Sequence, residues 1–438
     1  MTSIVTVNLS ITSAPAPSTL QRTAAFISQG ATTLAAGTYS LLTLASSLTP
    51  LLTAPGAITS MSLSGGVVTV TTTAPHGYTN ADVLPVTIAG VTPSAYNGTF
   101  NATVTGTSTF TYPLTGSPGS VTVQGTYIVA NQADLVAMNS TFYAQGNPLS
   151  VYVLELGPGS ATDGPTALVN FINASPQIFY SYLCPRRWGN TGAFATTASL
   201  YEAPTAMTYF HLTVTGSSYS SYATIKSCIC TIEAPSNPNS EFTAAAMFYA
   251  TLNWNPSSIN QVPPLAYTFA YDVTPYPTLN NSSTLATYQA AFVNVIGTAA
   301  EGGLSNSIML YGTTMDGNQF NYWYAVDWML INLNLTLSNE IINGSNNPQA
   351  PLYYNQAGIN RLQARAQQTL NNGAVYGLIL SSPNNPVTVT AVPFYTYVSQ
   401  NPSAYKTGTY NGLAATATPQ TGFLSIVFNL NITNFIAG

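Results

Sequence analysis

Residues 307–344, SIMLYGTTMDGNQFNYWYAVDWMLINLNLTLSNEIING, decide the fold class. The apolar run Ile308–Tyr311 reads as a short buried strand. Met315-Asp316-Gly317-Asn318 is a turn, because Asp tolerates and Gly supplies the backbone angles that a tight turn requires. From Tyr322 the segment YWYAVDW opens a long helix. Val326, Leu330, Leu333, Leu337 and Ile341 recur at three- and four-residue steps, and Gly344 stands where a helix takes its C-terminal cap. A rival strand pattern overlies the same residues, since Ile331, Leu333, Leu335 and Leu337 alternate with Asn332, Asn334 and Thr336. The preceding aromatic residues extend the helical stripe and favour the helix.

Outward from this stretch the texture is α/β. C-terminal to it, 355–372 reads as a second helix with Ile359, Leu362, Ala366 and Leu370 on one face and Gly373 as its stop. Arg361 and Arg365 lie four apart on that helix and are nearly the only cationic pair in the chain. N-terminal to it, strands are expected at 149–156, 177–183, 209–215 and 223–232, and helices from Asp163, at 241–252 and at 285–296. The order strand, helix, strand within 149–183 is a βαβ unit with a parallel pair. Before it come a strand at 24–28 and a short helix near 41–48, and after Pro386 the chain reads as β again.

Residues 56–127 differ from both flanks. They are rich in Thr, Val and Gly, with turns at Ser64-Gly65-Gly66, Pro75-His76-Gly77, Asn97-Gly98 and Gly116-Ser117-Pro118-Gly119. Runs such as VVTVTTT, GTFNATV and SVTVQGTY recur at the spacing of an all-β module, a barrel or sandwich inserted into the first domain. The chain ends alternate strictly. Val5, Val7, Leu9 and Ile11 share one face before the stiff linker 14–17, and Leu424, Ile426, Phe428, Leu430 and Ile432 share one face near the C-terminus. The expected fold is an α/β (α+β) core sandwich, residues 18–55 and 128–400 with its C-terminal part at about 300–385. The inserted all-β domain is 56–127, and terminal β-strand arms span 1–17 and 401–438.

Charge is the unusual feature. Asp, Glu, Lys and Arg make up 4% of the 438 residues, against roughly 25% in ordinary globular proteins. Ser, Thr, Asn, Gln, Gly and Pro take their place, and such a surface offers little repulsion between copies. Seven basic residues and a net charge of −5 argue against nucleic-acid binding, which needs several cations to neutralise phosphates. No run of eighteen apolar residues is present, so no membrane span is expected.

Chemistry finds little footing. The two histidines, His76 in a Pro-His-Gly turn and His211 in a strand pattern, cannot alone build a metal or acid–base centre. P-loop, Gly-x-Ser-x-Gly and His-Glu-x-x-His motifs are absent, and Asp316-Gly317-Asn318 is only a fragment of a calcium loop. Cys184, Cys228 and Cys230 read as buried free thiols. Arg186-Arg187-Trp188 suits an anion or stacking site less well than salt bridging within the fold or at a subunit contact. No catalytic, cofactor or metal residue is therefore assigned, and the chain is expected not to be an enzyme.

A strand, a turn ending in Asp-Gly, an aromatic residue and then Ala325-Val326-Asp327-Trp328 leading a helix resembles the C-terminal core of contractile-phage tail sheath proteins. Pro351-Leu352-Tyr353-Tyr354-Asn355-Gln356-Ala357-Gly358-Ile359 is similar to that family's P-Y-N/T-x-x-G-I lead-in to its next helix. The resemblance covers residues 151–365 in element order and is tight only at 316–328 and 351–359. It implies a virion protein that stacks as hexameric rings around a tail tube protein and meets baseplate and tail terminator proteins. Contraction then drives the tube through the host envelope without a cofactor. Met1-Thr2-Ser3 lacks a secretory n-region and h-region, which suits manufacture in the host cytoplasm. In this frame the terminal strands are expected to link subunits, and Arg361 and Arg365 to contact a neighbouring copy or the tube. Another β-rich surface, baseplate or receptor-binding protein is the alternative, and an extracellular hydrolase a remote one.

Overall fold

A computed structural model describes residues 19–159, 163–175, 177–234, 240–277, 282–298 and 307–424. Its strands are β1 Ala24–Ser28, β2 Thr38–Leu42, β3 Gly56–Ser64, β4 Val67–Thr72, β5 Val83–Ala89, β6 Gly98–Gly106, β7 Thr109–Pro113, β8 Thr126–Val129, β9 Val151–Glu155, β10 Ser181–Leu183, β11 Tyr209–Val214, β12 Cys228–Ile232, β13 Val295–Thr298, β14 Ser307–Leu310, β15 Ile379–Leu380, β16 Thr388–Ala391, β17 Leu413–Thr416 and β18 Thr418–Pro419. Its α-helices are α1 Ala130–Ala144, α2 Asp163–Ala174, α3 Arg186–Thr191, α4 Ala195–Ala198, α5 Thr243–Leu252, α6 Ser282–Ala290, α7 Phe320–Asn346, α8 Gln356–Val375, α9 Phe394–Gln400 and α10 Ala404–Thr407. The larger of two compact units holds Leu20–Trp254, Pro263–Trp323 and 421–424; the smaller holds Asn255–Val262 and Tyr324–Gln420.

In the larger unit six strands form one sheet in the order β12-β11-β10-β1-β9-β2, parallel except for β2, which runs antiparallel to β9. Both faces are covered, so β1, β11 and β12 are buried at every position rather than alternating. Ala25, Ile27, Tyr182 and Phe210 pack under Leu168 and Phe171 of α2 and Trp188 of α3. Ala24, Phe26 and Val153 pack under Leu135, Met138 and Phe142 of α1 and Phe248 of α5. Residues of 56–129 close a separate barrel in the order β3-β4-β7-β6-β5-β8, whose strands alternate buried and exposed side chains around Val68, Val70, Val86, Val104 and Phe110.

Several expectations change. The 41–48 segment is not a helix: Thr38–Leu42 is an edge strand held by β9, followed by a 3-10 turn at Ala45–Ser47. The helix expected at 285–296 ends at Ala290, and Val295–Thr298 pairs with β14. The region after Pro386 is mixed, with α9 and α10 between strands that pair β16 with β17 and β15 with β18. Residues 404–419, within the segment read as a C-terminal arm, thus hold a helix and two paired strands. Val5, Val7, Leu9 and Ile11, and likewise Ile426, Phe428, Leu430 and Ile432, lie outside the described residues.

The long helix is present over 27 residues, but it runs through Gly344 instead of ending there. A Cβ at Gly344 would lie 2.4 Å from the Cβ of Leu352, so the glycine serves close packing. Beyond Trp328 the buried positions are Asn332, Glu340 and Gly344, each a multiple of four residues from Trp328. The expected apolar stripe is therefore not the core face: Leu330 and Ile341 are exposed, as is Ile342.

Candidate interaction surface

The turn ahead of α7 is built around Asp316. Its carboxylate accepts from the hydroxyl of Thr314 at 2.6 Å, the backbone and side-chain nitrogens of Asn318 at 3.1 and 2.9 Å, and the indole of Trp323 at 2.8 Å. Four protein donors take up its oxygens, and the calcium-like fragment is a helix lead-in. Gly317 holds φ at +92° against the ring of Phe292, which only glycine does without strain. Lys226 lies beside this turn, its Nζ 4.7 Å from the Trp323 ring centroid and donating to the carbonyls of Ala203 and Ala206.

The 351–359 phrase has an equally local reason. Asn355 is the N-cap of α8, its side chain accepting from the Gly358 N–H at 2.9 Å. A Cβ at Gly358 would fall 2.0 Å from the Tyr353 carbonyl oxygen. Asn and Gly three apart thus start the helix and let the preceding loop fold onto it.

Within the smaller unit α7 and α8 are clasped through Glu340. Arg361 Nε donates to one carboxylate oxygen and Arg365 Nε donates to the other at 2.9 Å. Burial acts to raise the Glu340 pKa, and the Arg365 and Arg361 bonds outweigh it, holding the group below the usual carboxylate range. The two arginines border a cleft of about 390 Å³ with Glu340, Asn343, Asn347 and Gln368. The pair expected to face a partner therefore has an intrachain partner. Replacing both arginines by Gln is expected to lower stability by about 1–3 kcal/mol, since it leaves a buried carboxylate without a cation. Thermal denaturation checks this, and the additional change Glu340→Gln should restore part of the loss.

In the larger unit Arg186 ties three elements. Its guanidinium meets Asp134 of α1 at 2.7 Å and Glu233, just past β12, at 2.8 and 3.0 Å, donates to the Glu241 carbonyl, and lies 4.6 Å from the Phe242 ring centroid. Arg187 donates to Gln29 and to the Gly159 carbonyl, and the Trp188 indole also donates to Gln29 at 2.9 Å. The Arg186-Arg187-Trp188 run is consequently internal wiring. Cys184, Cys228 and Cys230 are free and fully buried, and burial pushes each thiol pKa up.

His211 sits at the centre of β11, fully buried, with the rings of Phe248 and Phe320 at 5.1 and 6.2 Å. Neither ring nitrogen has a hydrogen-bond partner among the described residues. Burial pushes its pKa down to about 3 from 6.5. The unfolded chain takes up this proton below pH 6.5 and the folded chain does not until about pH 3, so stability falls as pH drops between those values. The His211 contribution amounts to about 2 kcal/mol between pH 8 and pH 5. His211→Leu is expected to flatten that part of a urea-denaturation pH profile and to leave stability at pH 8 unchanged or higher.

Exposed apolar side chains are grouped in each unit. In the smaller unit they are Leu330, Ile341 and Ile342 on α7 and Tyr353, Tyr395 and Tyr405 around the ring cluster of Tyr354 and Phe394. In the larger unit Tyr267, at a turn with φ of +65°, and Phe269 and Tyr271 after it are exposed on a segment that bonds to β14 through Tyr267 N–H and Ala270 N–H. There Gly422 is held by reciprocal 2.9 Å bonds with the Gln319 side chain, and Tyr267 Oη donates to the Leu424 carbonyl. Gly422 and Leu424 are therefore held beside Gln319 and Tyr267.

No protein-family model matches the sequence, and no curated protein does. Solved structures do. A chain of the anti-feeding prophage (AFP) baseplate, six-fold symmetrised in cryo-EM, aligns over 99% of this chain and 100% of its own at 12% identity, with a TM-score of 0.55. The same baseplate in its contracted state gives 0.49 at 11% identity, over 98% of each chain. The sheath tail protein Lin1278 from Listeria innocua gives 0.42 at 11% identity, over 84% of this chain and 88% of its own. This chain is thus similar in fold to a chain of the AFP baseplate.

Proposed function

We propose that this chain is a structural subunit of a contractile tail, a sheath protein that polymerises as stacked rings around a tail tube and shortens to drive the tube through an envelope. The observation that carries the reading is the whole-length fold match to a chain of a six-fold baseplate. Two features of the chain support it. Charge is nearly absent from its composition, and both units carry exposed apolar groups that assembly would cover, Leu330, Ile341 and Ile342 in one and Tyr267, Phe269 and Tyr271 in the other. On this reading the work comes from rearranged subunit contacts, the tube, baseplate and tail terminator proteins are the partners, and the particle is a phage tail or similar virion structure.

A baseplate component is the second reading, favoured by the source of the 0.55 match. Negative-stain microscopy of the purified chain separates the two. Long tubes are expected of a sheath, whereas small closed rings under every assembly condition would make it a baseplate part. A persistent monomer would overturn both.

A further inference from the structure

We propose that the mouth of the barrel is a binding site for a neutral oligosaccharide. One end of the barrel opens into a cleft of about 650 Å³, within the range of small-molecule pockets and in a position where barrels hold ligands. Its walls are the end of β3, the β3–β4 turn and the loop between β7 and β8.

The cleft is preformed. Tyr96, almost wholly buried, donates through its hydroxyl to the Gly119 carbonyl at 2.7 Å, and Tyr112 in turn donates to the Tyr96 carbonyl at 3.1 Å. The loop is fixed at one end by Leu114 N–H to the Gly66 carbonyl at 2.9 Å and at the other by the Thr92–Val123 bridge. No ordering of these walls is needed when a ligand arrives, which removes a large cost of binding.

The lining names the ligand class. No charged side chain borders the cleft, so an ionic ligand would find no counter-charge there. Hydroxyls are supplied by Ser62, Ser117 and Ser120, and an apolar strip by Met61, Leu63 and Val121. The rim carries bare backbone at Gly65, Gly66, Gly116 and Gly119, all at positive φ; a Cβ at Gly65, Gly116 or Gly119 would meet nothing within 4 Å. Neutral hydroxyls, accessible peptide groups and a narrow apolar strip match a sugar, which presents hydroxyls at its edge and C–H groups on its face. The inference uses residues of the barrel and none of the exposed apolar groups invoked for assembly.

Saturation-transfer NMR on the full chain with maltotriose, cellotriose and triacetylchitotriose, each at about millimolar concentration, tests it. At least one is expected to bind, and Ser120→Trp, which fills the cleft from an exposed position, is expected to weaken it by about tenfold or more with an unchanged melting temperature. Ser62→Trp provides the same test from the opposite wall should the first variant misfold. Absence of signal from all three sugars overturns the proposal. Binding that survives both tryptophans also overturns it, as does binding only of an anionic sugar such as sialyllactose.

Discussion

Replacing Arg186 by Met is expected to cost about 3–5 kcal/mol of stability, the loss that follows when one member of a buried ion cluster is removed. Arg186 pairs with both Asp134 and Glu233, which are themselves buried, and it also occupies the Glu241 carbonyl. Methionine fills much of the same volume, so packing is largely kept and the electrostatic cost dominates. Burial already raises the Asp134 pKa, and the Arg186 charge opposes that rise. Without the arginine the Asp134 carboxyl favours its neutral form further, so the deficit of the variant narrows as pH falls. Urea denaturation at pH 7 and pH 5 measures both effects. Adding Asp134→Asn and Glu233→Gln should recover much of the loss, whereas a loss below about 1 kcal/mol in the single variant would place the cluster at the level of a surface pair.

Deleting residues 1–13, or 423–438, is expected to leave a folded chain that forms no tubes. A strand at either end would need a sheet edge for its backbone and a covered surface for its apolar face. A strand of about eight residues offers about four ladder hydrogen bonds at about 1 kcal/mol each. Val5, Val7, Leu9 and Ile11 would add about 1.5–3 kcal/mol apiece before ordering costs. That sum is large against the few contacts a single link must maintain while the bodies it joins slide. Toward the C-terminus the Gln319–Gly422 bonds hold Gly422 in the larger unit. Circular dichroism should show an intact fold and electron microscopy no tubes. Normal tubes from either truncation, or a chain that fails to fold, would end the linking-arm reading.

How far the sequence discloses this fold depends on where each signal resides. The barrel is legible because its strands alternate and its turns are marked by Gly, Pro and Asn, both local properties. Helix α7 is legible by period, but its end is not, since Gly344 is held in the helix by contact with Leu352. Its buried face is not legible either: Asn332 and Glu340 are inside while Leu330 and Ile341 are outside, an inversion decided by the partners of the helix. Helix α1 escapes detection because Asn131, Asp134, Asn139 and Thr141 are buried along with Leu135, Met138 and Phe142, which blurs its stripe. Strand β2 depends on pairing with β9, more than a hundred residues later. The Glu340 clasp is likewise invisible locally, because its arginines lie 21 and 25 residues further on.

The three sealed thiols give the protein an internal clock. Cys184, Cys228 and Cys230 lie on one face of the sheet, near or in β10 and β12, and none is exposed. A thiol so placed reacts with an alkylating reagent only after its surroundings open, and the reaction rate then reports that opening. Reagent uptake before, during and after assembly would therefore show whether the α/β core moves as a rigid body or loosens while its neighbours rearrange. A rigid core keeps its thiols silent throughout; a core that breathes is marked at the step where it does so.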